Sequence, residues 1–456
     1  MKTYQDWLKV ADGSDRQRMA FVRELINEHK ASPLFRQAMD AENYFTGQNT
    51  TIKRYEKVLF NSLGQAVPDY FSANHKVASR FFYRDVIQAN SVLLGNGISW
   101  NNGIGGETLG DDFDSKILKA GRNAQVGGVC FGFYNNGNVE IYKVTEFAPL
   151  YDEEDGALKA GVRFWQVDNQ KPLRATLFEL DGYTEYMWDK DHAEGMVKTP
   201  KRGYVAIIQS SEADGDIIYD YRNYEGFPVV PCWANERHQS ELIPIKATID
   251  AFDLINAGYC NQVDDASLVY WTITNAGGMD DADLVQFLDK MRKLHASQTD
   301  GDQSVTPVTV DVPYESREAI LERLEKQLYK DAMALNTYEL ASGAVTATQI
   351  EASYEPLNEK LDSFEAEITD FIQRLLAVAG VEDEPTYTRS IIVNKSEEIT
   401  SVVNSALYLD DEYVTEKVMT ILGDKDKVQD VLDSRARIDV QRFTGGNAGI
   451  NNGEEV

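Results

Sequence analysis

At 456 residues the chain is longer than one compact core usually serves, so two or more subdomains are expected. It is 43% hydrophobic and 11% aromatic, enough to bury a core; its formal charge is −29, of which residues 1–100 carry about +3 and the rest about −32. That acidity excludes a protein that grips nucleic acid through many cations, though not one that touches DNA without holding it. No apolar run approaches the ~18–20 residues of a membrane span, and the start lacks a signal-peptide core, so a cytoplasmic protein is expected.

Residues 1–47 read as helices. In "DRQRMAFVRELINEHKAS" Met19, Val22, Leu25 and Ile26 share one face, and "SPLFRQAMDAENYFTG" has proline near its start and glycine at its end. A further helix is expected in "HKVASRFFYRDVIQANSVLLGNG", with Phe81, Val86, Ile87, Val92 and Leu93 in register and Gly95 as its stop. The glycine-rich "GNGISWNNGIGGETLG" has neither the preceding strand nor the following GK[ST] of a phosphate-cradling loop, so its glycines read as turn residues. From Gly127 to about Val230, runs of Val, Ile, Phe, Tyr and Trp broken by NNG, DG and GD predict an antiparallel, hairpin-connected sheet. The acidic "YDEEDG" and "SSEADGDIIYD" lack calcium-loop spacing and read as solvated turns.

A long helix is expected from near Glu241 to about Leu268, with Ile245, Ile249, Phe252, Ile255, Tyr259 and Val263 as its stripe. A strand-like "LVYWTIT", an amphipathic "DDADLVQFLDKMRKLHAS" and a strand-like "SVTPVTVDV" then make a small β-α-β insertion over about Val269–Pro313. A second long helix is expected over Tyr314–Leu335, with Leu321, Leu324, Leu328, Ala332 and Leu335 in line. A short loop of small residues leads to a third helix over Thr346–Ala379, roughly 50 Å long. Thr346 and Gln349 have capping-box spacing at its start, Gly380 ends it, and Pro356 inside it should kink it. A short strand and two or three small helices follow, then a tail, "FTGGNAGINNGEEV", without apolar pattern, expected to be disordered.

Motifs of chemistry are few. Cys130, Cys232 and Cys260 form no CxxC, and His29, His75, His192, His238 and His295 form no HExxH or HxH, so neither a metal nor another cofactor is expected. There is no GxSxG and no Walker lysine. With 74 Asp and Glu residues, a carboxylate pair of hydrolase type arises by chance anywhere, so composition leaves that alternative open.

The order of elements, with "YFTGQNTTIKR", "ANHKVASRFFYRDVIQANSVLLGNG", "EGFPVVPCWANERHQSELIPIKATIDAFDLINAGYCNQVDD" and "ASGAVTATQI", resembles tailed-bacteriophage portal proteins, in particular those of long-tailed phages of Gram-positive bacteria. The resemblance covers roughly residues 40–435; where family members often continue Ser-Gly-x-Ala-Leu-(Lys/Arg), this chain has Ser342–Gly343 followed by "AVTATQI". Another virion structural protein is the remaining alternative.

The resemblance implies an α+β portal fold and no enzyme activity. Its parts would be a wing of N-terminal helices and antiparallel sheet (1–239), stem helix 1 (240–268), a β-α-β clip (269–313), stem helix 2 (314–335), a tunnel loop (336–346), a long kinked helix returning to the wing (347–395), a crown (396–440) and a tail (441–456). It implies a homo-oligomeric ring, a dodecamer, at one capsid vertex of the virion, assembled in the host cytoplasm. The expected partners are double-stranded DNA in the channel, the terminase large subunit, a head-completion adaptor, and the major capsid and scaffolding proteins, with no membrane.

In such a ring the loop residues Asn336, Thr337, Tyr338, Ser342, Gly343 and Thr346 would face DNA, although the residues alone read first as an ordinary αα-hairpin turn. Asp250, Asp253, Asp264 and Asp265 on the first stem helix and Glu318, Glu322 and Glu325 on the second are candidates for acidic channel lining. Lys290, Arg292, Lys293 and His295 in the insertion are either a solvated helix face or a docking and DNA-exit patch.

Overall fold

The structure is a computed structural model describing residues 2–60, 64–69, 74–210, 217–266, 270–274, 280, 282–283, 285–287, 304–308, 314–341, 346–390, 395–406, 408–422, 427–429 and 431–434. It divides into two units, Met1–Ala334 with Glu359–Arg389, and Leu335–Asn358 with Ser390–Val456.

The first unit opens with three capped helices, α1 (Tyr4–Ala11), α2 (Asp15–Ala31) and α3 (Pro33–Phe45). Thr3 with Asp6 and Ser14 with Gln17 form capping boxes, and Ser32 Oγ accepts from the Phe35 amide at 3.1 Å. The expected α2 stripe is buried, and Val22, Leu25 and Ile26 are almost wholly enclosed. Burying such a side chain contributes ~1.5–3 kcal/mol. After the short α4 (Thr50–Lys53) and the β1 (Val58–Phe60) and β2 (Ala66–Pro68) hairpin comes α5 (Phe81–Leu94), ending at Gly95 as expected.

The glycine-rich stretch contains β3 (Ile98–Trp100) and α6 (Ile104–Leu109), with positive φ at Gly97, Gly103 and Gly110. A helix with no clear sequence signal follows, α7 (Phe113–Gly127). Its buried face includes Ala120, Gly121 and Ala124 because its neighbours approach closely; a Cβ on Gly121 would lie 2.3 Å from Asn90 Oδ1 and 3.0 Å from Phe364 Cζ.

The β region is antiparallel throughout, but it forms three sheets where one was expected. Strands β4 (Val129–Tyr134) and β5 (Val139–Lys143) are joined in a three-stranded sheet, order β13-β4-β5. Strands β6 (Phe147–Tyr151), β7 (Leu158–Trp165), β8 (Leu173–Glu179), β9 (Gly182–Trp188) and β10 (Met196–Arg202) form a five-stranded meander. The hairpin β11 (Val205–Ser210) and β12 (Ile217–Arg222) is separate, and β13 (Val229–Trp233) returns to pair with β4. Pro149 and Pro231 both lie on edge strands, where a missing amide costs no ladder bond.

Every β4 residue is buried because both its faces are covered. Phe131 and Phe133 pack with Phe147, Phe178 and Tyr204 of the meander side, while Gly132 admits the Phe371 ring on the other. Helix α2 covers the meander with Met19, Val22, Leu25 and Ile26 against Val162, Leu177, Tyr186 and Trp188. Cys130 and Cys232 stand opposite each other across β4 and β13 as buried free thiols.

Helix α8 (Leu242–Ala266) begins as expected. Strands β14 (Tyr270–Thr274) and β15 (Ser304–Val308) pair antiparallel, with helical residues 282–283 and 285–287 between them, in the strand–helix–strand order expected for the insertion. Helix α9 (Tyr314–Asp331) stops short of the expected Leu335, the chain turning at Met333 with φ of 52°. A short α10 (Thr337–Ala341) then occupies part of the expected loop. The long helix α11 (Ala347–Ala379) runs unbroken through Pro356 and ends at Gly380, φ 74°. Thr346 and Gln349 form the expected box, Thr346 N to Gln349 Oε1 at 3.1 Å and Gln349 N to Thr346 Oγ1 at 3.4 Å. Strand β16 (Pro385–Tyr387) pairs with β3, and α12 (Lys395–Ser405) packs with α13 (Asp411–Leu422) in the second unit. The expected strand at 390–394 and tail at 441–456 fall on residues that, apart from Ser390, lie outside those described.

Candidate functional site

The residues singled out in the sequence lie along the chain on α8, in the insertion after it, on α9 and in the segment that follows. Leu242, Ile245 and Ile249 at the start of α8 share a core with Leu328 and Ala332 at the end of α9, so the two helices run antiparallel. Thr248 Oγ1 donates to Asp331 Oδ2 at 3.5 Å across the same junction. Beyond it Phe252, Ile255, Tyr259, Leu321 and Leu324 of the expected stripes are partly buried, Val263 is 51% exposed, and Leu254 and Ile320, outside those stripes, are 39% and 46% exposed. Among the described side chains of α9 only Leu328 is fully buried, while Tyr329 meets the Phe81 ring at 5.1 Å, so much of this helix surface faces solvent.

Asp250 and Asp253 do not belong to a solvent-facing acidic surface. Asp253 is 0% exposed; its Oδ2 accepts from Asn49 Nδ2 and its Oδ1 from the Ser79 amide, each at 2.8 Å. Burial pushes its carboxyl up, against those donors. Asp250 accepts from Lys246 Nζ and Thr51 Oγ1, both at 2.9 Å, and from the Tyr44 hydroxyl. Burial raises its carboxyl, but the bonds from Tyr44, Lys246 and Thr51 outweigh that and hold it below the usual range.

The segment from Tyr44 to Thr51 is thereby a clamp on α8. Gly47, φ 81°, turns the chain, and Asn49 caps α4 through the Thr51 and Ile52 amides while reaching Asp253. A carboxylate on a helical stripe reads as solvated unless its partner is visible. Here only Lys246, four residues before Asp250, was within local range.

The other acidic candidates whose side chains are described are exposed. Asp264 lies 3.5 Å from His75 Nε2, and the Asp265 side chain is outside those described. Glu318 and Glu325 face solvent, and Glu322 accepts from Lys326 Nζ at 2.7 Å, a bond that holds its carboxyl below the usual range. Arg317, Arg323, Lys326 and Lys330 interleave with these acids, so the surface of α9 is mixed in sign.

Asn336 Oδ1 accepts from the Tyr338 amide at 3.2 Å and starts α10, Thr337 is exposed, and Tyr338 is 68% exposed. Thr346 is exposed at the cap of α11, and Pro356 is exposed on that helix; Ser342 and Gly343 lie outside the described residues, as do Lys290, Arg292, Lys293 and His295.

Two features had no signal in the sequence. Lys360 of α11 donates to Asp85 Oδ1 at 2.9 Å, to Oδ2 at 3.0 Å and to the Ala332 carbonyl at 3.1 Å, with Glu241 at 3.7 Å. Burial disfavours its charge, yet the two carboxylates more than offset this and hold the ammonium above the usual lysine range. This triad ties α11 to α5 and to the junction of α8 and α9. The second feature is Asp383, whose carboxylate accepts from the amides of Asn102 (2.9 Å), Ile104 (3.0 Å), Gly105 (2.8 Å) and Glu384 (2.8 Å). The glycine-rich turn does cradle an anion, then, and that anion is the chain's own. Burial raises Asp383, but the four amides prevail and its carboxyl sits low.

Among the described residues no group of three His, Cys, Asp or Glu is placed to hold a metal ion, and no helix is long and apolar enough to cross a membrane.

The family profile described as "Phage portal protein, SPP1 Gp6-like" matches residues 27–440. The "Portal protein" of Bacillus phage SPP1 is 23% identical over 423 residues, 84% of this chain and 79% of that protein. The "Portal protein" of Clostridium phage phiCD119 is 26% identical over 185 residues, 38% of this chain and only 41% of that protein. Two solved structures are similar at 11% identity. "Virion of native gene transfer agent (GTA) particle" has a TM-score of 0.42, covering 76% of this chain and 90% of that one. "Neck of empty GTA particle computed with C6 symmetry" has a TM-score of 0.44, covering 82% and 98%.

Proposed function

The chain belongs to the SPP1 Gp6-like family of phage portal proteins, and we propose that copies of it close into a ring, a dodecamer, forming the channel at one capsid vertex through which double-stranded DNA is packaged and ejected. The family is one of virion structural proteins and not of enzymes, so the hydrolase alternative falls. The observation that carries the ring is the antiparallel pair α8 and α9. It is rooted in the first unit at one end, carries the β14–β15 pair at the other, and leaves Leu254, Val263 and Ile320 exposed along its length. Helices with apolar residues such as Leu254, Val263 and Ile320 left in water are what a subunit interface covers.

In this reading α8 and α9 are the stem, the insertion is the clip, 336–346 is the tunnel loop, α11 returns to the wing, and α12 and α13 belong to the crown. Exposed Asp264, Glu318, Glu322 and Glu325, together with Asp265, are the lining candidates that remain. They repel duplex DNA, which carries one charge per ~1.7 Å, over about one Debye length of ~8 Å. Tyr338, with Ser342, Gly343 and Thr346, offers the constriction small or neutral polar contacts. The clip docks the terminase large subunit during packaging and a head-completion adaptor afterwards, Lys290, Arg292, Lys293 and His295 being its candidate contacts. Capsid and scaffolding proteins meet the wing.

Native mass spectrometry with negative-stain imaging tests this. Rings of about a dozen copies with a central hole are expected; a compact closed dimer without a hole refutes the channel.

A further inference from the structure

Edge strand β13, the loop after it, the β6–β7 turn and helix α11 enclose an open groove of 840 Å³ within the first unit. Its lining includes the apolar Leu158, Phe227 and Val378. Trp233 and His238, also in the lining, stack with ring centroids 3.7 Å apart and planes 13° from parallel. Glu367 and Asp370 of α11 and Asp155 at the turn line it as well. Asp155 pairs with Lys159 and Asp370 with Arg374, but Glu367 accepts no hydrogen bond and has no ion-pair partner among the described residues. Burial pushes the Glu367 carboxyl up; Asp370 and Glu236 add to this, while His238 and Arg374 oppose it. An aromatic face with unsatisfied carboxylate charge and apolar lining suits a guanidinium on an apolar stem.

The same unit carries the complement. Lys53, Arg54, Lys76, Arg80 and Arg84 are exposed, and none forms an ion pair with a described residue, in a chain of net charge −29. Lys76 Nζ donates to the Tyr55 carbonyl, joining the two stretches into one surface, and the Arg80 guanidinium lies 4.4 Å from the Tyr83 ring centroid. A closed ring of identical subunits needs two different, mutually complementary surfaces on each copy.

We propose that the groove receives the 76–84 segment of the neighbouring copy, with an arginine seated between the Trp233–His238 pair and the Glu367 and Asp370 carboxylates. This rests on the ring reading above. Opposite charge fixes the register of the two copies and discourages other pairings.

Charge reversal and rescue test it on the full chain. Arg80→Glu with Arg84→Glu, and separately Glu367→Arg with Asp370→Arg, are each expected to lower the ring fraction at physiological salt about tenfold or more. Folding of each variant is checked by its thermal melt. The chain carrying all four substitutions is expected to regain rings. Rings insensitive to either reversal, or a folded four-substitution chain that stays monomeric, overturn the pairing while leaving the ring reading intact. A patch variant that keeps its rings but loses salt-sensitive binding of duplex DNA assigns the patch to phosphate and also overturns it. A wild-type chain that closes no ring at any concentration removes the ring reading, and this inference with it.

Discussion

Lys360→Met probes the buried triad that fastens α11. Methionine keeps much of the aliphatic stem and removes the ammonium. Asp85, 3% exposed, is then left without a cation, and the Ala332 carbonyl without its Lys360 donor. Removing one member of a buried pair costs ~3–5 kcal/mol. Asp85 has one escape, which is to bind a proton.

Burial already pushes its carboxyl above 3.8 with Lys360 present, and without Lys360 it rises further. A raised carboxyl is protonated more readily folded than unfolded. Its stabilising effect is therefore present at acid pH and is lost as pH rises from 3.8 through the folded pKa, at up to ~1.4 kcal/mol per unit. Lys360 behaves differently in the wild type. Its pKa is raised above 10.5, so its contribution is complete at neutral pH and is lost only as pH rises beyond that value.

The assay is urea unfolding followed by tryptophan fluorescence at about pH 5.5 and about pH 8. The variant should lose ~3–5 kcal/mol at the higher pH and clearly less at the lower one. Adding Asp85→Leu should recover most of the loss, because an apolar replacement of the pair leaves no stranded charge. A loss below ~1 kcal/mol at both pH values, or a second substitution that deepens it, would refute the reasoning.

Three other perturbations follow from the same structure. His29 is buried and donates through Nε2 to the Val144 carbonyl at 2.7 Å; burial holds its pKa below 6.5, so stability should be lost as pH falls through and below that value. His29→Gln keeps a donor and should flatten the melting temperature between about pH 7 and pH 5, whereas an unchanged slope would exonerate His29. In Gly161→Ala the new Cβ would sit 2.2 Å from Phe147 Cζ, a clash costing ~1–3 kcal/mol that Phe147→Leu should partly relieve; full stability of the single variant would contradict the packing. Reversing Glu318, Glu322 and Glu325 to lysine should slow DNA passage in a salt-dependent way, and particles that package and eject DNA normally would remove these residues from the channel lining.

Where the signal was local, the sequence located elements closely. Helix α11 was readable because its start is marked by Thr346 and Gln349, its end by Gly380, and its stripe by residues three and four apart. The start of α8 and the whole of α9 were legible for the same reason, the expected second helix overrunning Asp331 to Leu335. Helix α7 was not, because its packing face uses Ala120, Gly121 and Ala124, whose small size comes from neighbours far away in sequence. Nor could alternation of apolar residues say that β13 leaves the meander to pair with β4, since strand pairing is a choice among distant partners.

The same division holds at the candidate site. By itself the sequence determined the family, the helix–insertion–helix order and the acidity of the chain, all carried by patterns within a few residues. Only the tertiary structure decided which carboxylates meet water. Asp253 and Asp250 answer to Asn49, Tyr44 and Thr51, and Asp85 to Lys360, while Glu318 and Glu325 on an equally plain helical pattern stay exposed. A charge's environment is set by groups some 200 or more positions along the chain, as Asn49 and Asp253 are at 204, and folding alone brings them within bonding distance.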